Sequence, residues 1–224
     1  MKTISRGQPV ASLTTLALVD AWSALFRTGT PATAVRRSTG SRLGFVARHA
    51  MVTKVRGAFN EFSGTAQIDG SDPSKSSVSV TMKADSIDTR NADRDAHLRS
   101  GDFLETEKYP EITFRSTEIK QTGEDTFEVT GDLTIKDVTK PVTIPLTFEG
   151  SALDPFGNQR IGFEGSTTIS RKEFGITRNA ALETGGVLVS DKVTLEFEIS
   201  AIKQACLSAC PQPPVACSNR SARR

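Results

Sequence analysis

The stretch FEVTGDLTI, residues 127–135, places an apolar or small residue at every second position. A period of two puts alternate side chains on opposite faces of a β-strand, so one face of this segment is apolar and the other polar. The same alternation recurs around residues 78–84, 142–148 and 193–199. The repeated pattern predicts an antiparallel sheet that buries one face.

Working outward from that stretch, turn-forming residues divide most of the chain into segments of strand length. The predicted strands are 42–49, 57–69, 76–88, 111–121, 126–136, 141–150, 160–170 and 191–202. A flat sheet of this size would leave hydrogen-bonding edges open, whereas closing the sheet on itself removes them. We therefore predict an all-β fold, an extended eight-stranded antiparallel β-barrel, which is the size that holds side chains or one small ligand.

A short helix over residues 92–100 is predicted to interrupt the strands. Asn91 is suited to the N-cap position, and Gly101 follows as a C-terminal stop. Asp95 and Arg99 are spaced to pair on one helix face. Asp95 is alternatively a brace between the helix and the barrel, and this second interpretation is favoured.

The charge distribution separates the ends of the chain from its middle. Residues 1–42 carry six Lys or Arg and one acid, residues 203–224 carry four and none, and the middle has a net charge of −7. We predict three parts: a flexible or processed leader (1–41), the barrel (42–203) and a disordered tail (204–224). Because the basic residues lie outside the barrel, no nucleic-acid partner is expected.

The two ends carry little further information. Residues 11–26 faintly resemble a signal peptide, but Asp20 interrupts the apolar run, so a cytoplasmic location is favoured over secretion. No stretch approaches the roughly twenty apolar residues of a membrane span. The cysteines, Cys206, Cys210 and Cys217, all lie in the tail, and their spacing matches no standard zinc site. Both a lineage-specific extension and an altered reading frame would explain the composition of the ends.

Four segments together resemble the YceI family of lipocalin-like, polyisoprenoid-binding proteins. They are FVARH (45–49) with the following VRG (55–57), NADRDAHLRSGDF (91–103) leading into YPEITF (109–114), GDLTI (131–135) with TKPV (139–142), and RKEFG (171–175). The chain departs from the family pattern at residues 33–40, where an aromatic first strand is usual, and in continuing beyond residue 203.

This resemblance implies an elongated apolar cavity inside the barrel that takes a polyprenyl chain or a similar amphiphile. It also implies isoprenoid transport and, for some members, a link to stress responses. Small residues at inward positions, Ala84, Gly131, Gly165 and Thr167, are predicted to leave gaps that require either bulky neighbours or a guest. Strand alternation and the resemblance together predict the ligand-contacting residues Phe45, His49, Met82, Arg94, His97, Leu98, Phe103, Phe114, Val129, Leu133, Ile144, Leu146, Phe163, Phe174, Leu195 and Phe197.

The polar members of that set are open to more than one interpretation. Arg94 and Arg48 are candidates for a phosphate or other polar head group, because a guanidinium presents paired donors to phosphate oxygens. His97 either ties the helix to the barrel by hydrogen bonds, which is favoured, or contacts a head group. No metal, cofactor or catalytic residue is predicted, because His49 and His97 have no third ligand and the barrel contains no nucleophile motif.

Three hypotheses for function follow. The favoured one is a non-enzymatic carrier or sequestering protein for a polyisoprenoid or other long-chain lipid. The second is a barrel filled by its own side chains that acts through its outer surface or a homodimer interface. The third is an enzyme on lipid-like substrates that uses one of the histidines.

Overall fold

The computed structural model describes residues 33–37, 40–50, 52–69, 72–180 and 188–203. Its strands are β1 (Thr33–Arg37), β2 (Arg42–His49), β3 (Thr53–Phe59), β4 (Phe62–Ile68), β5 (Ser77–Lys83), β6 (Ile87–Asp88), β7 (Glu111–Gln121), β8 (Thr126–Ile135), β9 (Val138–Leu153), β10 (Gln159–Ser170) and β11 (Val189–Lys203). The described helical elements are the 3₁₀ turns η1 (Pro73–Lys75), η2 (Ala84–Ser86) and η3 (Arg171–Phe174) and the α-helix α1 (Ala92–Arg99).

The strands form one antiparallel sheet that closes into a barrel. On one side β11 pairs with β10, and on the other it pairs first with β2 and then with β1. β1 and β2 run in line, because both pair with β11 at successive positions. β4 and β3 lie in line beside β1 and β2, and β5 and β6 lie in line beside β4 and β3. The eleven described segments therefore make eight long strands, and the predicted eight-stranded barrel is confirmed.

The first long strand begins earlier than the sequence predicts. β1 lies within the segment 1–41 that was expected to be a leader, yet its backbone pairs with β4 and with the end of β11. The folded part of the chain therefore includes residues 33–37, and the boundary at residue 42 is too late. Residues 1–32 and 204–224, which contain the signal-like segment and the three cysteines, lie outside the described residues, so the leader and tail stay predictions.

Two interruptions in the long strands are hydrogen-bonded to each other: residues 60–61 between β3 and β4, and η2 between β5 and β6. Between β3 and β4, the backbone N–H of Asn60 donates to the Ser86 carbonyl at 3.1 Å, and that of Glu61 donates to the Ser86 hydroxyl at 3.0 Å. The N–H of Lys83 donates to the Glu61 carbonyl at 2.9 Å. The wall can therefore bend at η2 while these backbone groups keep hydrogen-bond partners.

Helix α1 begins at the predicted cap. The side-chain oxygen of Asn91 accepts a hydrogen bond from the backbone N–H of Arg94 at 2.9 Å. Asp95 is buried and accepts from both the backbone N–H, at 2.9 Å, and the hydroxyl of Thr89, at the end of the strand that precedes the helix. The predicted brace at Asp95 is therefore confirmed.

The predicted pairing of Asp95 with Arg99 is wrong. Arg99 donates instead to the backbone carbonyls of Asp85 and Ile87, each at 2.7 Å. Each side chain therefore fixes the helix to the chain that precedes it. The helix ends at Arg99, one residue before the predicted end, with Ser100 as its C-cap.

In the described chain, two clusters of apolar side chains pack inside the barrel. The larger one lies around the middle and the helix end. The smaller one lies at the opposite end, where the rings of Phe127, Phe148 and Phe163 pack together with Ile161 and Ala201. The ring centroid of Phe163 is 5.5 Å from that of Phe148 and 6.4 Å from that of Phe127. We call this second cluster the aromatic floor. In the described part of the chain, no helix has the length and hydropathy needed to cross a membrane.

A candidate lipid cavity in the barrel

Between the two ends the barrel encloses a cavity of about 210 Å³. Its wall is built by strand alternation, so on β8 the side chains of Val129, Leu133 and Ile135 point inward while the polar residues between them point out. Along β11 the wall extends from Val189 to Ile199, which is about 33 Å of strand. With the usual tilt of barrel strands, this corresponds to about 25 Å along the barrel axis.

The structure brings most of the predicted residues together on this wall. The predicted residues that line the cavity are Phe45, Met82, Leu98, Phe103, Phe114, Val129, Leu133, Ile144, Leu146, Leu195 and Phe197. They come from the long strands, from α1 and from the segment after α1. Their contact with a ligand stays a prediction.

Two predicted aromatic residues lie elsewhere in the interior. Phe163 faces inward but belongs to the aromatic floor, because at its height the neighbouring strands also contribute phenylalanines. Phe174 is 1% exposed and packs in the larger core cluster from η3, without lining the cavity. Alternation therefore predicted the direction of Phe163 and not the filling around it.

The predicted polar contacts lie outside the cavity wall. His49 is exposed at the end of β2. Arg94 donates from Nε to the Thr89 hydroxyl at 2.7 Å and from NH2 to the Thr89 carbonyl at 2.8 Å, so its guanidinium fixes the start of the helix. His97 is exposed, and its Nε2 lies 3.1 Å from Oδ2 of Asp102. This contact joins His97 to the segment after the helix and not to a barrel strand.

Arg48, the other predicted candidate for a head group, is likewise exposed near the end of β2. Its backbone N–H donates to the hydroxyl of Ser190 at 3.0 Å, which ties β2 to β11. Arg48 is not among the residues that line the cavity.

Three of the small inward residues leave no open space at their own positions. A methyl group at Gly131 would collide with the ring of Phe114, and one at Gly165 would lie 2.7 Å from a methyl carbon of Leu146. Ala84 is 1% exposed and packs inside the core cluster. Neighbouring side chains and backbone therefore occupy these positions, so of the two predicted alternatives the neighbours, and not a guest, fill the space there.

Sequence reasoning missed Arg171, the first residue of η3. Among the described residues that line the cavity, Arg171 alone has a polar side chain, and it is 5% exposed. Nε donates to the Ser190 carbonyl at 3.0 Å, and NH1 donates to the carbonyls of Ile176 at 2.9 Å and Arg178 at 2.8 Å. The segment RKEF has no alternation, so no periodic signal marked this residue as inward.

The electrostatics of this end of the barrel follow from the burial of that cation. Desolvation lowers the pKa of Arg171, and the nearby carboxylate of Asp191 works against the shift. An arginine side chain remains charged at neutral pH despite such a shift. One buried positive charge therefore lies beside the apolar wall of the cavity.

Other residues of the wall were missed because they come from outside the alternating strands. Leu104 and Ile176 follow α1 and η3, and both are buried. Among the described residues, no cluster of three His, Cys, Asp or Glu side chains could hold a metal ion.

Comparison with known proteins gives concordant matches. The family model of the YceI-like domain matches residues 36–201. A "UPF0312 protein" of Pseudomonas aeruginosa (strain LESB58) is 40% identical over 194 residues, covering 85% of this chain and 98% of that protein.

Solved structures share the fold. Burkholderia cenocepacia BcnA aligns with a TM-score of 0.62 at 27% identity, covering 71% of this chain and 95% of that chain. A polyisoprenoid binding domain from Saccharophagus degradans, implicated in plant cell wall breakdown, aligns with a TM-score of 0.59 and covers 77% of this chain and 99% of that chain. At 18% identity, this last likeness shows the fold alone.

Proposed function

The chain belongs to the YceI-like domain family, and from that premise we propose that it binds a polyisoprenoid or similar long-chain lipid in the barrel, as a carrier or a sequestering protein and not as an enzyme. The observation that carries the proposal is the continuous apolar cavity, whose described wall contains a single polar side chain. A cavity of this composition favours a guest that is almost entirely hydrocarbon.

The energetics of burial support a chain-like ligand. Each methylene removed from water contributes about 0.8 kcal/mol, so a few prenyl units suffice for tight binding before ordering costs are subtracted. The wall offers almost no directional contacts, so the length and width of the chain decide which molecules fit. Broad specificity among long-chain lipids is therefore part of the proposal.

The positions of the two histidines support binding without catalysis. His49 and His97 are both exposed and lie outside the cavity wall, so neither would reach a guest inside the barrel. A general base must come within hydrogen-bond reach of the proton it removes. The hollow interior likewise argues against the alternative of a barrel filled by its own side chains.

The test begins with protein purified without detergent. Organic extraction followed by mass spectrometry should recover a long-chain lipid in near-stoichiometric amount. The lipid-stripped protein should then take up a fluorescent polyene fatty acid, and prenols of increasing length should displace it with increasing strength up to a limit set by the cavity.

A folded, lipid-stripped protein that takes up no chain of any length would refute the proposal. Transfer of the fluorescent lipid from loaded protein to vesicles separates the two forms of the function. A carrier releases its lipid to the vesicles, whereas a sequestering protein retains it.

A further inference from the structure

In the described chain, two hydrogen-bond donors of Arg171 are buried without a partner at the helix end of the cavity, which Arg171 helps to line. A guanidinium has five N–H groups, and Arg171 uses three of them on the carbonyls of Ser190, Ile176 and Arg178. Its NH2 atom is buried and has no hydrogen-bond partner among the residues that the structure describes. Because buried polar groups are normally paired, this atom requires an explanation.

The protein itself gives this cation little direct compensation. The three partners are neutral carbonyls, and in the described chain Arg171 has no carboxylate within ion-pair distance. The carboxylate whose charge acts on Arg171 is that of Asp191. Its Oδ1 is buried without a partner among the described residues, and its Oδ2 lies 3.8 Å from Nζ of Lys172. A buried charge without a counter-ion is costly, and an anionic oxygen in the cavity would offset that cost.

We propose that Arg171 binds the anionic head group of the lipid, a carboxylate or a phosphate, through its unpartnered NH2 while the hydrocarbon tail extends toward the aromatic floor. The inference rests on the proposed function and specifies the chemistry of its ligand. Charge-assisted hydrogen bonds are about twice as strong as neutral ones, so one contact of this kind selects a head group in an otherwise featureless cavity.

The proposal replaces the sequence-based candidates for the head group. Arg48 and His49 are exposed near the end of β2, and Arg94, which donates to Thr89, is likewise not among the residues that line the cavity. Arg171 differs from them in lining the cavity itself.

The experiment uses four ligands with the same tail: farnesyl monophosphate, farnesoic acid, farnesol and the hydrocarbon farnesene. Each displaces a fluorescent polyene fatty acid from the lipid-stripped full-length chain at about pH 8, where both acids are ionised. We expect the phosphate or the carboxylate to bind about tenfold tighter than farnesol or more. Whichever acid binds more tightly identifies the head group, and either result supports the proposal.

The variant Arg171→Met should abolish the preference for the acids while farnesene binds as before. Lys172→Met is the matched control, because it removes one positive charge from the same turn but from an exposed side chain. It should keep the wild-type preference. If Arg171→Met does not fold, Asp191→Asn replaces it, and the preference should then rise because a carboxylate that repels the head group is gone.

The outcomes separate the two proposals. Equal binding of all four ligands by the wild-type protein overturns the role of Arg171 and leaves lipid binding intact. An unchanged preference in Arg171→Met, or in Asp191→Asn if that variant is used, also overturns it. Failure of all four ligands to bind refutes the proposed function instead.

Discussion

Replacing Leu133 by tryptophan should shorten the longest lipid that binds and leave the protein folded. Leu133 is the third residue from the C-terminal end of β8, is 4% exposed and lines the cavity. The larger indole would extend into space that a lipid tail occupies when it is bound. Head-group preference should be unaffected, because the substitution leaves Arg171 and its carbonyl partners unchanged.

The magnitude follows from the empty volume beside Leu133. In a filled core, a larger side chain costs about 1–3 kcal/mol of stability, whereas in a cavity of about 210 Å³ the indole has room. We therefore expect a loss of less than about 1 kcal/mol in the free energy of unfolding. If the indole displaces about three methylenes of a full-length tail, binding weakens by about 2.4 kcal/mol, or about 60-fold.

The assay compares displacement curves for prenols of increasing length on wild type and Leu133→Trp, with thermal melts beside them. Asp132→Trp is the matched control, since Asp132 is exposed on the same strand and faces outward. It should bind all lengths as the wild type does. If a folded Leu133→Trp protein binds every chain length as tightly as the wild type, no ligand extends along the cavity and the reasoning is refuted.

Three other predictions concern the two ends of the barrel. Phe163→Ala should open the aromatic floor and extend the longest chain that binds. Because Phe163 is only half-buried, the stability cost should be about 3 kcal/mol, the lower end of the range for a buried phenylalanine; an unchanged length limit in the displacement assay would contradict this prediction. Burial alone would raise the pKa of Asp154, but hydrogen bonds led by those from Asn158 outweigh it and hold that pKa at about 2, below the usual 3.8. This carboxylate therefore stabilises the fold above about pH 4 and ceases to do so as the pH falls toward 2, so melting temperatures of Asp154→Asn should lack that part of the acid dependence shown by the wild type. A fragment of residues 33–203 should melt cooperatively, whereas residues 42–203 should melt at a lower temperature because β4 and β11 lose the backbone partner β1; equal melting would mean that β1 is dispensable.

Local rules predicted the parts of the structure in which neighbouring residues determine the outcome. Alternation identified β8 and β11 and the direction of Leu133 and Leu195, because a period of two fixes the face of a strand whatever it pairs with. Asn91 was recognised as a helix cap because its partner is also local: its side-chain oxygen accepts a hydrogen bond from the backbone N–H of Arg94, three residues away.

Features set by distant parts of the chain were not predictable in this way. β1 exists through its pairing with β4 and β11, and its own five residues carry no alternation. Phe163 points inward as expected, but its packing depends on phenylalanines from β8 and β9. Arg171 occupies its buried position because carbonyls from three other residues converge on it, and no spacing in the sequence reports such convergence.

The aromatic floor also has a kinetic consequence. Because packed rings fill one end of the barrel, we expect a molecule that occupies the cavity to enter and leave at the helix end, and any displaced water to leave there too. Release then requires the whole tail to withdraw along the apolar wall, so the dissociation rate falls with each added methylene. Residence time, more than encounter rate, would therefore distinguish a long lipid from a short one.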